Sequence, residues 1–377
     1  MKAWLFQDVR QKQKLGDKCP WSVGWFDPDG KKRSKRIGCE SRAKTFARKI
    51  EGQLAAGTYE SDSRKKWDQF RPEYERRVLA LMPPQTQEVI LQSLDKFQEI
   101  VEPAKVAAIR TATIDDFIGK RREERGRKPG SKVSPATINK DLRHLKAALK
   151  VAQEWGYLPK VPKIRMVKEP KKLARFVSPE HFAAMYKACD VAVRPAGQEY
   201  AAAEWWRGVL MFAYMTGWRI SEIVGALTWD DVSLDGGHAI TRHGDNKGKR
   251  DERVPLHPVV IEHLRKLVDL GPVVFPWSYG RRMMYDQFGR IQDAAGIDLP
   301  CPERHEHTEA CHHYGFHDFR RAFATMNADR LTGDALQALM RHKSYTTTQR
   351  YINMARQLDQ SVKVLYVPDL QPKEAEV

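Results

Sequence analysis

The chain has 377 residues, 41% of them hydrophobic, and this length and composition predict two or three domains with buried cores. Its 65 lysines and arginines exceed its 48 acidic residues, and the formal net charge of +17 indicates a polyanionic partner, most often a nucleic acid; the alternative is an ordinary basic protein. We expect a cytoplasmic protein without a membrane span, secretion signal or disulfide framework, since the chain lacks an apolar run of roughly 20 residues and its five cysteines are an odd number.

Residues 1–60 predict a small module of strands and one helix. Trp21–Phe26 alternates as a strand does, and a turn at residues 27–30 leads into a second, basic strand over residues 31–37. A helix is expected from Ser41. A basic strand can lie in a DNA groove, whereas the alternative is a solvated edge strand whose charges prevent aggregation. The candidate DNA contacts are Lys31, Lys32, Arg33, Lys35 and Arg36.

Residues 61–160 predict a helical domain, which a proline- and lysine-rich linker follows over residues 161–175. Thr113 is expected to cap one helix, and Ser134 another. The second of these helices has a continuous apolar stripe, and its basic residues fall outside that stripe. They are either contacts to a DNA backbone or an ordinary solvated face. The candidate contacts are Lys140, Arg143 and Lys146.

Residues 176–377 predict a third domain of helices and a β-hairpin, so the chain as a whole is of the α+β class and mainly helical. Arg219 lies at the expected start of a helix, where it can either bind an anion or pair with Glu222. Lys247 is expected at the tip of the hairpin. A lysine there can protonate a leaving oxygen, although most lysines at hairpin tips are simply solvated.

Two histidines, an arginine and a tyrosine recur between residues 315 and 351 in an order that suits chemistry on a phosphate. They are His317, Arg320, His342 and Tyr351. A guanidinium offers planar donors to phosphate oxygens, an imidazole can donate to an oxyanion, and a tyrosine hydroxyl becomes a nucleophile once its proton is removed. No dense carboxylate cluster lies nearby, which disfavours a two-metal site and leaves the positive charge to side chains.

These motifs resemble those of the tyrosine recombinases, the phage-integrase family. The matching positions, in chain order, are residues 216–222 (the first arginine box), Lys247 (the hairpin lysine), residues 317–321 (the His-x-x-Arg box), His342 and Tyr351. Arg341 stands where the family usually has a glycine before the second histidine. The first two predicted domains resemble an arm-type DNA-binding module and a core-binding domain, and the third resembles the catalytic domain.

The resemblance implies a site-specific recombinase that cuts and rejoins DNA through a covalent 3′-phosphotyrosyl intermediate, as the integrase of a prophage or mobile element. Tyr351 would be the nucleophile and Lys247 the general acid. The other catalytic residues would be Arg219, His317, Arg320 and His342. The implied partners are double-stranded DNA, three further copies of the chain in a homo-tetramer on DNA, and a directionality factor, with no cofactor for catalysis. An Xer-like chromosome dimer resolvase and a catalytically silent DNA-binding protein of the same fold stay open as alternatives.

A second cluster lies just before His317. Cys301, His305, His307 and Cys311 are candidate ligands of a structural zinc ion, because thiolates and imidazoles are the usual ligands of tetrahedral zinc. The spacing differs from that of a standard zinc finger, and the alternative is a polar insertion. A zinc-dependent nuclease built on this cluster is a further rival, which would need metal and leave no covalent protein–DNA adduct.

Overall fold

The computed structural model describes residues 2–28, 30–56, 65–170, 175–242, 251–268, 271–301 and 305–356. The chain divides into two compact units, Met1–Pro170 and Lys171–Val377. Within the described ranges, no helix combines the length and the apolar composition that crossing a membrane requires.

The first unit begins with a three-stranded antiparallel sheet that packs against a helix. Its elements are β1 (Trp4–Gln7), α1 (Val9–Leu15), β2 (Trp21–Phe26), β3 (Lys32–Gly38) and α2 (Glu40–Ala55). The two predicted strands and the predicted helix are confirmed. The sequence missed β1 and α1, because each is too short to show a clear period. Val23 and Trp25 of β2 are buried against the apolar face of α2.

Longer helices form the rest of the first unit. They are α3 (Trp67–Arg77), α4 (Pro84–Val101), α5 (Thr111–Glu123) and α6 (Pro135–Glu154). Ser134 caps α6 as predicted, since its Oγ accepts a hydrogen bond from the Thr137 backbone N–H at 3.2 Å. The predicted cap at Thr113 is wrong, because α5 already begins at Thr111. The Thr113 hydroxyl instead accepts a hydrogen bond from the Arg110 backbone N–H at 3.3 Å.

The segment after α6 runs without helix or strand over residues 161–170. Asn139 of α6 holds it through both backbone groups of Val167. The Asn139 side chain donates to the Val167 carbonyl at 2.8 Å and accepts from the Val167 N–H at 2.7 Å. This part of the predicted linker therefore packs along the helical domain, and the division between the two units falls after residue 170.

The second unit is mainly helical with one small antiparallel sheet, and the chain is thus of the predicted α+β class. Its helices are α7 (Pro179–Lys187), α8 (Ala202–Thr216), α9 (Ile220–Ile223), α10 (Pro258–Arg265), α11 (Arg281–Ala294), α12 (Glu309–His312), α13 (Phe316–Asn327), α14 (Gly333–Met340) and α15 (Tyr345–Arg356). Its sheet has the order β4 (Val232–Ser233), β5 (His238–Thr241) and β6 (Glu252–Pro255).

Helix α8 lies at the centre of this unit. Trp205, Trp206 and Val209 are fully buried on it, and α10 and α13 pack against it. Helix α15, the last one in the described part of the chain, packs against α13 and α14, where Ile352 is buried. The ends of α8 and α14 and the first turn of α13 thereby meet on one side of the core, and α15 lies beside them.

Candidate active site

A buried arginine joins the ends of two helices. Arg320 lies on α13 with 1% of its surface exposed. Its Nη1 donates to the carbonyl of Gly217, just after α8, at 2.6 Å, and its Nη2 donates to the carbonyl of Met340 at the end of α14. Carbonyls at helix C-termini lack partners within the helix and carry partial negative charge, so a guanidinium stabilises both. Arg320 therefore fixes the segments that follow α8 and α14.

Burial, followed by the positive charges of Arg219 and Arg341, lowers the pKa of the Arg320 guanidinium to about 10. At neutral pH the group stays protonated. Three guanidinium groups thus lie close enough to repel one another in a region with little water. An anion placed among them would offset that repulsion.

Gly217 lets the chain turn from α8 into the short helix α9. It adopts a left-handed conformation with a φ of 64°. A Cβ at this position would lie 2.7 Å from Cδ1 of Phe323, so both the backbone and the packing favour glycine. The turn places Arg219 at the N-cap of α9, just before the helix, with 27% of its side chain exposed. Arg219 is therefore open to solvent, whereas Arg320 is closed to it.

Glu222 is a buried carboxylate that holds two of the arginines. Its Oε1 accepts from Arg219 Nη1 at 2.7 Å, and its Oε2 accepts from the Arg219 backbone N–H at 3.2 Å. Arg341 Nη2 also donates to Oε2. The ion pair that the sequence offered as an alternative role for Arg219 is thus present. This ion pair involves Nη1 of Arg219. It orients the guanidinium and neutralises part of its charge.

Arg341 replaces a glycine in the family pattern and keeps the backbone conformation that glycine would favour. Its φ of 52° and ψ of 44° are left-handed, and it ends α14. Its guanidinium lies 4.3 Å from the centre of the Trp218 ring and reaches Glu222. Arg341 Nε and Nη1 are buried without a hydrogen-bond partner among the described residues. Burial lowers the pKa of this guanidinium, whereas the Glu222 carboxylate raises it.

His342 stacks on the ring of Tyr351. The ring centroids are 5.8 Å apart, and the planes differ by 10°. His342 Nδ1 lies 2.9 Å from the hydroxyl of the fully buried Thr348. Burial, followed by the charges of Arg320 and Arg219, lowers the pKa of the His342 imidazole to about 4. The ring is therefore neutral at physiological pH, and if the Thr348 hydroxyl donates to Nδ1, the single ring proton resides on Nε2.

His317 lies in the first turn of α13 and is exposed at the surface. Although it reaches the surface, partial burial by surrounding atoms lowers the pKa of its imidazole, and the charges of Arg321 and Arg320 lower it further. It opens onto a cleft of about 670 Å³ that Arg175, Arg290 and Arg321 also line. Three aspartates, Asp286, Asp293 and Asp318, line the same cleft. A neutral imidazole at this cleft can accept a proton or donate one hydrogen bond.

The structure brings five of the six predicted catalytic residues to one side of the second unit. These are Arg219, His317, Arg320, His342 and Tyr351, and their mutual effects on pKa values reflect this proximity. Lys247 lies outside the described residues. Sequence reasoning missed the contribution of Thr348 and Trp218 and the bridging position of Glu222. The charge of Arg341 in place of glycine was the one signal in the sequence that pointed to an added interaction.

The predicted DNA contacts of the first unit are largely accessible. Lys31, Lys32, Lys35 and Arg36 are exposed, but Arg33 is half-buried, and its Nε donates to Asp27 at 2.8 Å. On α6, Arg143 and Lys146 are exposed. Lys140 is half-buried and lies 3.6 Å from the Asp141 carboxylate. The four candidate zinc ligands, Cys301, His305, His307 and Cys311, lie together in the second unit.

Comparisons with known proteins agree with this arrangement. The model of the phage integrase family matches residues 175–357. The fold is similar to that of a lambda integrase dimer bound to a COC′ core site, with a TM-score of 0.60 and 18% identity over 94% of this chain and 96% of that chain. No curated protein matches the chain by sequence.

Two further solved structures are similar. A lambda integrase tetramer bound to a Holliday junction has a TM-score of 0.59 and 16% identity over 94% of this chain and 96% of that chain. The Tn1549 transposon integrase in complex with transposon right end DNA has a TM-score of 0.55 and 15% identity over 75% of this chain and 92% of that chain. At these identities the likeness establishes a shared fold.

Two substitutions of Arg341 distinguish the effect of its charge on stability from the effect of its backbone conformation. Arg341→Gly removes the contact with Glu222 but accepts the positive φ, and we expect it to destabilise the protein by roughly 2–3 kcal/mol. Arg341→Ala loses the same contact and keeps the backbone strain that glycine relieves, so it should be less stable than the glycine variant by about 1 kcal/mol. Urea denaturation of the full chain measures both. An alanine variant as stable as the original would show that the guanidinium contributes nothing.

The low pKa of His342 makes stability depend on pH. The unfolded histidine, with a pKa of about 6.5, binds its proton before the folded one does, so stability falls as the pH drops from about 6.5 towards 4. Between pH 7 and pH 5 we expect this residue to cost about 2 kcal/mol. His342→Gln should lose that part of the pH dependence. Parallel stability curves for the two proteins would contradict the burial of a neutral imidazole.

Proposed function

Residues 175–357 form a domain of the phage integrase family, the tyrosine recombinases, and from this premise we propose that the protein is a site-specific DNA recombinase, the integrase of a prophage or mobile element. The observation that carries the proposal is the joint arrangement around Arg320. This residue lies among Arg219, His342 and Tyr351, which come from separate segments of the chain. An ordinary DNA-binding protein has no need of a tyrosine stacked on a neutral histidine beside buried guanidinium groups.

In the proposed reaction, Tyr351 Oη attacks the scissile phosphorus. An Oη–P bond forms while the bond from phosphorus to the 5′-oxygen breaks, which leaves the protein on the 3′-phosphate. Lys247 gives a proton to the departing 5′-oxygen, and the tyrosine proton passes to a base, for which His317 is our candidate. The phosphotyrosyl bond conserves the energy of the phosphodiester, so a 5′-hydroxyl of another strand can reverse the step.

Cationic and hydrogen-bonding side chains carry the developing negative charge in this proposal, and catalysis requires no metal or nucleotide. Arg219 is open to solvent and binds a non-bridging oxygen first. His342 donates its Nε2–H to the phosphate. Arg320 already gives two N–H groups to carbonyls and is closed to solvent, so its remaining donors reach the phosphate only when DNA displaces the side chains that cover it.

The substrate in this proposal is double-stranded DNA. The first unit offers exposed basic residues on β3 and α6, which fit phosphate contacts that are independent of base sequence. The printed descriptions of the similar structures include a dimer on a core site and a tetramer on a Holliday junction. We therefore expect a homo-tetramer on DNA and a directionality factor as a further partner. The small basic module around β3 favours a mobile-element integrase over an Xer-like chromosome dimer resolvase.

A nicked suicide duplex tests the proposal. Cleavage next to the nick releases a short fragment that carries the 5′-hydroxyl. Because this fragment diffuses away, the strand cannot be rejoined and the covalent intermediate accumulates. We expect an adduct that survives denaturation, forms in the presence of a chelator, and is absent from Tyr351→Phe. Tyr345→Phe is the matched control, because Tyr345 is an exposed tyrosine on the same helix, and this variant should form the adduct.

Binding of the same duplex by Tyr351→Phe, measured by gel shift, shows that the variant is folded. An adduct formed by the phenylalanine variant would overturn the assignment of the nucleophile. Cleavage that depends on added metal and leaves no protein on the DNA would favour the zinc-dependent nuclease instead. Tight binding without any adduct would favour the silent DNA-binding protein.

A further inference from the structure

Two cysteines and two histidines lie symmetrically in the segment between α11 and α13. Their spacing is Cys-x3-His-x-His-x3-Cys, at positions 301, 305, 307 and 311. Cys311 is buried, Cys301 and His305 are half-buried, and His307 is exposed. One ligand atom from each residue lies within 4.8 Å of the ligand atoms of the other three. Four side chains of the types that bind soft metal ions therefore converge on one point.

Two distances within this cluster match the edges of a tetrahedron around zinc. Zn–S bonds of about 2.3 Å and Zn–N bonds of about 2.0 Å give edges of roughly 3.3–3.8 Å. His305 Nε2 lies 3.3 Å from the sulfur of Cys301 and 3.6 Å from the sulfur of Cys311. The ring centroids of His305 and His307 are 4.6 Å apart. The side chains are thus already spaced as ligands of one ion.

The atoms behind the cluster favour the protonation states that a metal ion needs. His305 Nδ1 lies 2.7 Å from the backbone carbonyl of Glu306. A proton on Nδ1 that donates to this carbonyl leaves Nε2 with its lone pair directed at the thiols. The hydroxyl of Thr308 lies 3.5 Å from the sulfur of Cys311, and it can donate to a thiolate. Both contacts are of the kind that orients ligands around bound zinc.

The two neighbouring histidines have other partners. His312 Nδ1 lies 2.9 Å from the Leu299 carbonyl and 2.9 Å from the Asp298 carboxylate. His313 Nε2 lies 2.9 Å from the Asp293 carboxylate. Each ring thus has one nitrogen engaged elsewhere, and neither His312 nor His313 belongs to the group whose ligand atoms lie within 4.8 Å of one another. The ligand set is therefore limited to two sulfurs and two imidazole nitrogens, which is a closed set of four protein ligands.

We propose that Cys301, His305, His307 and Cys311 bind one structural Zn²⁺ ion. A tetrahedral set of two thiolates and two imidazoles is typical of zinc, and a complete set of four protein ligands is typical of a structural site and not of a catalytic one. Binding releases the thiol protons, and the two thiolates balance the charge of the ion. The zinc ion takes no part in the proposed recombinase chemistry, so the two proposals can be tested separately.

The ion would hold the segment that leads into α13. The carbonyl of Cys311 accepts a hydrogen bond from Arg175 Nη1 at 3.1 Å, and the Leu299 backbone N–H donates to the His312 carbonyl at 2.8 Å. Residues 310 and 313–315 line the cleft that His317 shares. Cross-linking residues 301 and 311 through zinc therefore rigidifies one wall of this cleft and the approach to the first turn of α13.

Metal analysis of the tag-free protein, expressed with sufficient zinc and purified without chelator, tests the site. We expect about one zinc per chain, and less than about 0.2 per chain for Cys301→Ser, Cys311→Ser and His307→Ala. Cys39→Ser is the matched control and should retain a full equivalent, because Cys39 is an exposed cysteine of the first unit. Cobalt substitution should give thiolate-to-cobalt charge-transfer bands and tetrahedral d–d bands in the original protein and not in Cys311→Ser.

Circular dichroism of each variant separates loss of metal from loss of fold, and the same cobalt bands in Cys39→Ser would exclude Cys39 as a ligand. Removal of zinc by a chelator should lower the melting temperature of the original protein and leave that of Cys301→Ser unchanged. A metal-replete protein with negligible zinc would overturn the proposal. So would zinc that persists in Cys301→Ser and Cys311→Ser alike, or a Cys301–Cys311 disulfide found under reducing conditions.

Discussion

The second unit depends on a single buried guanidinium that binds the carboxyl ends of two helices. Arg320 donates to the carbonyls of Gly217 and Met340, and the residues just beyond those carbonyls include Arg219 and His342. The hydrogen bonds of this one side chain thereby fix the positions of two segments that lie more than 100 residues apart in the sequence. Helix dipoles and unpaired carbonyls make both ends negative, so the cation is stabilised where burial would otherwise disfavour it.

The surrounding charges set the chemical state of the site. At neutral pH, arginine side chains stay protonated even when burial lowers their pKa. An imidazole near them is neutral at the same pH, because its pKa is lower from the start. Burial, followed by the arginine charges, keeps His342 neutral, and a bound phosphate would weaken the effect of those charges. Glu222 limits the repulsion, since it holds Arg219 and Arg341 at once. The site therefore combines fixed positive charge with a neutral hydrogen-bond donor, which suits a pentavalent phosphorane.

Local patterns predicted the cap at Ser134, the buried helix now seen as α8 and the hairpin strands, since each depends on neighbouring residues alone. They failed at Thr113, because α5 begins two residues earlier, at Thr111, and at β1, which is too short to show alternation. They also missed the path of the Arg341 side chain. Its contacts with Trp218 and Glu222 come from distant segments, and no periodicity encodes them.

The central claim is that guanidinium charge, supplied by the protein, stabilises the transition state of phosphate cleavage. The most direct test replaces one non-bridging oxygen of the scissile phosphate with an uncharged methyl group and compares Arg219→Ala with the original protein. On the natural phosphate we expect the variant to cleave about 10²–10³-fold more slowly. On the neutral phosphate the deficit should shrink to within about tenfold, because there is less charge to stabilise. An equal deficit on both substrates would contradict the claim.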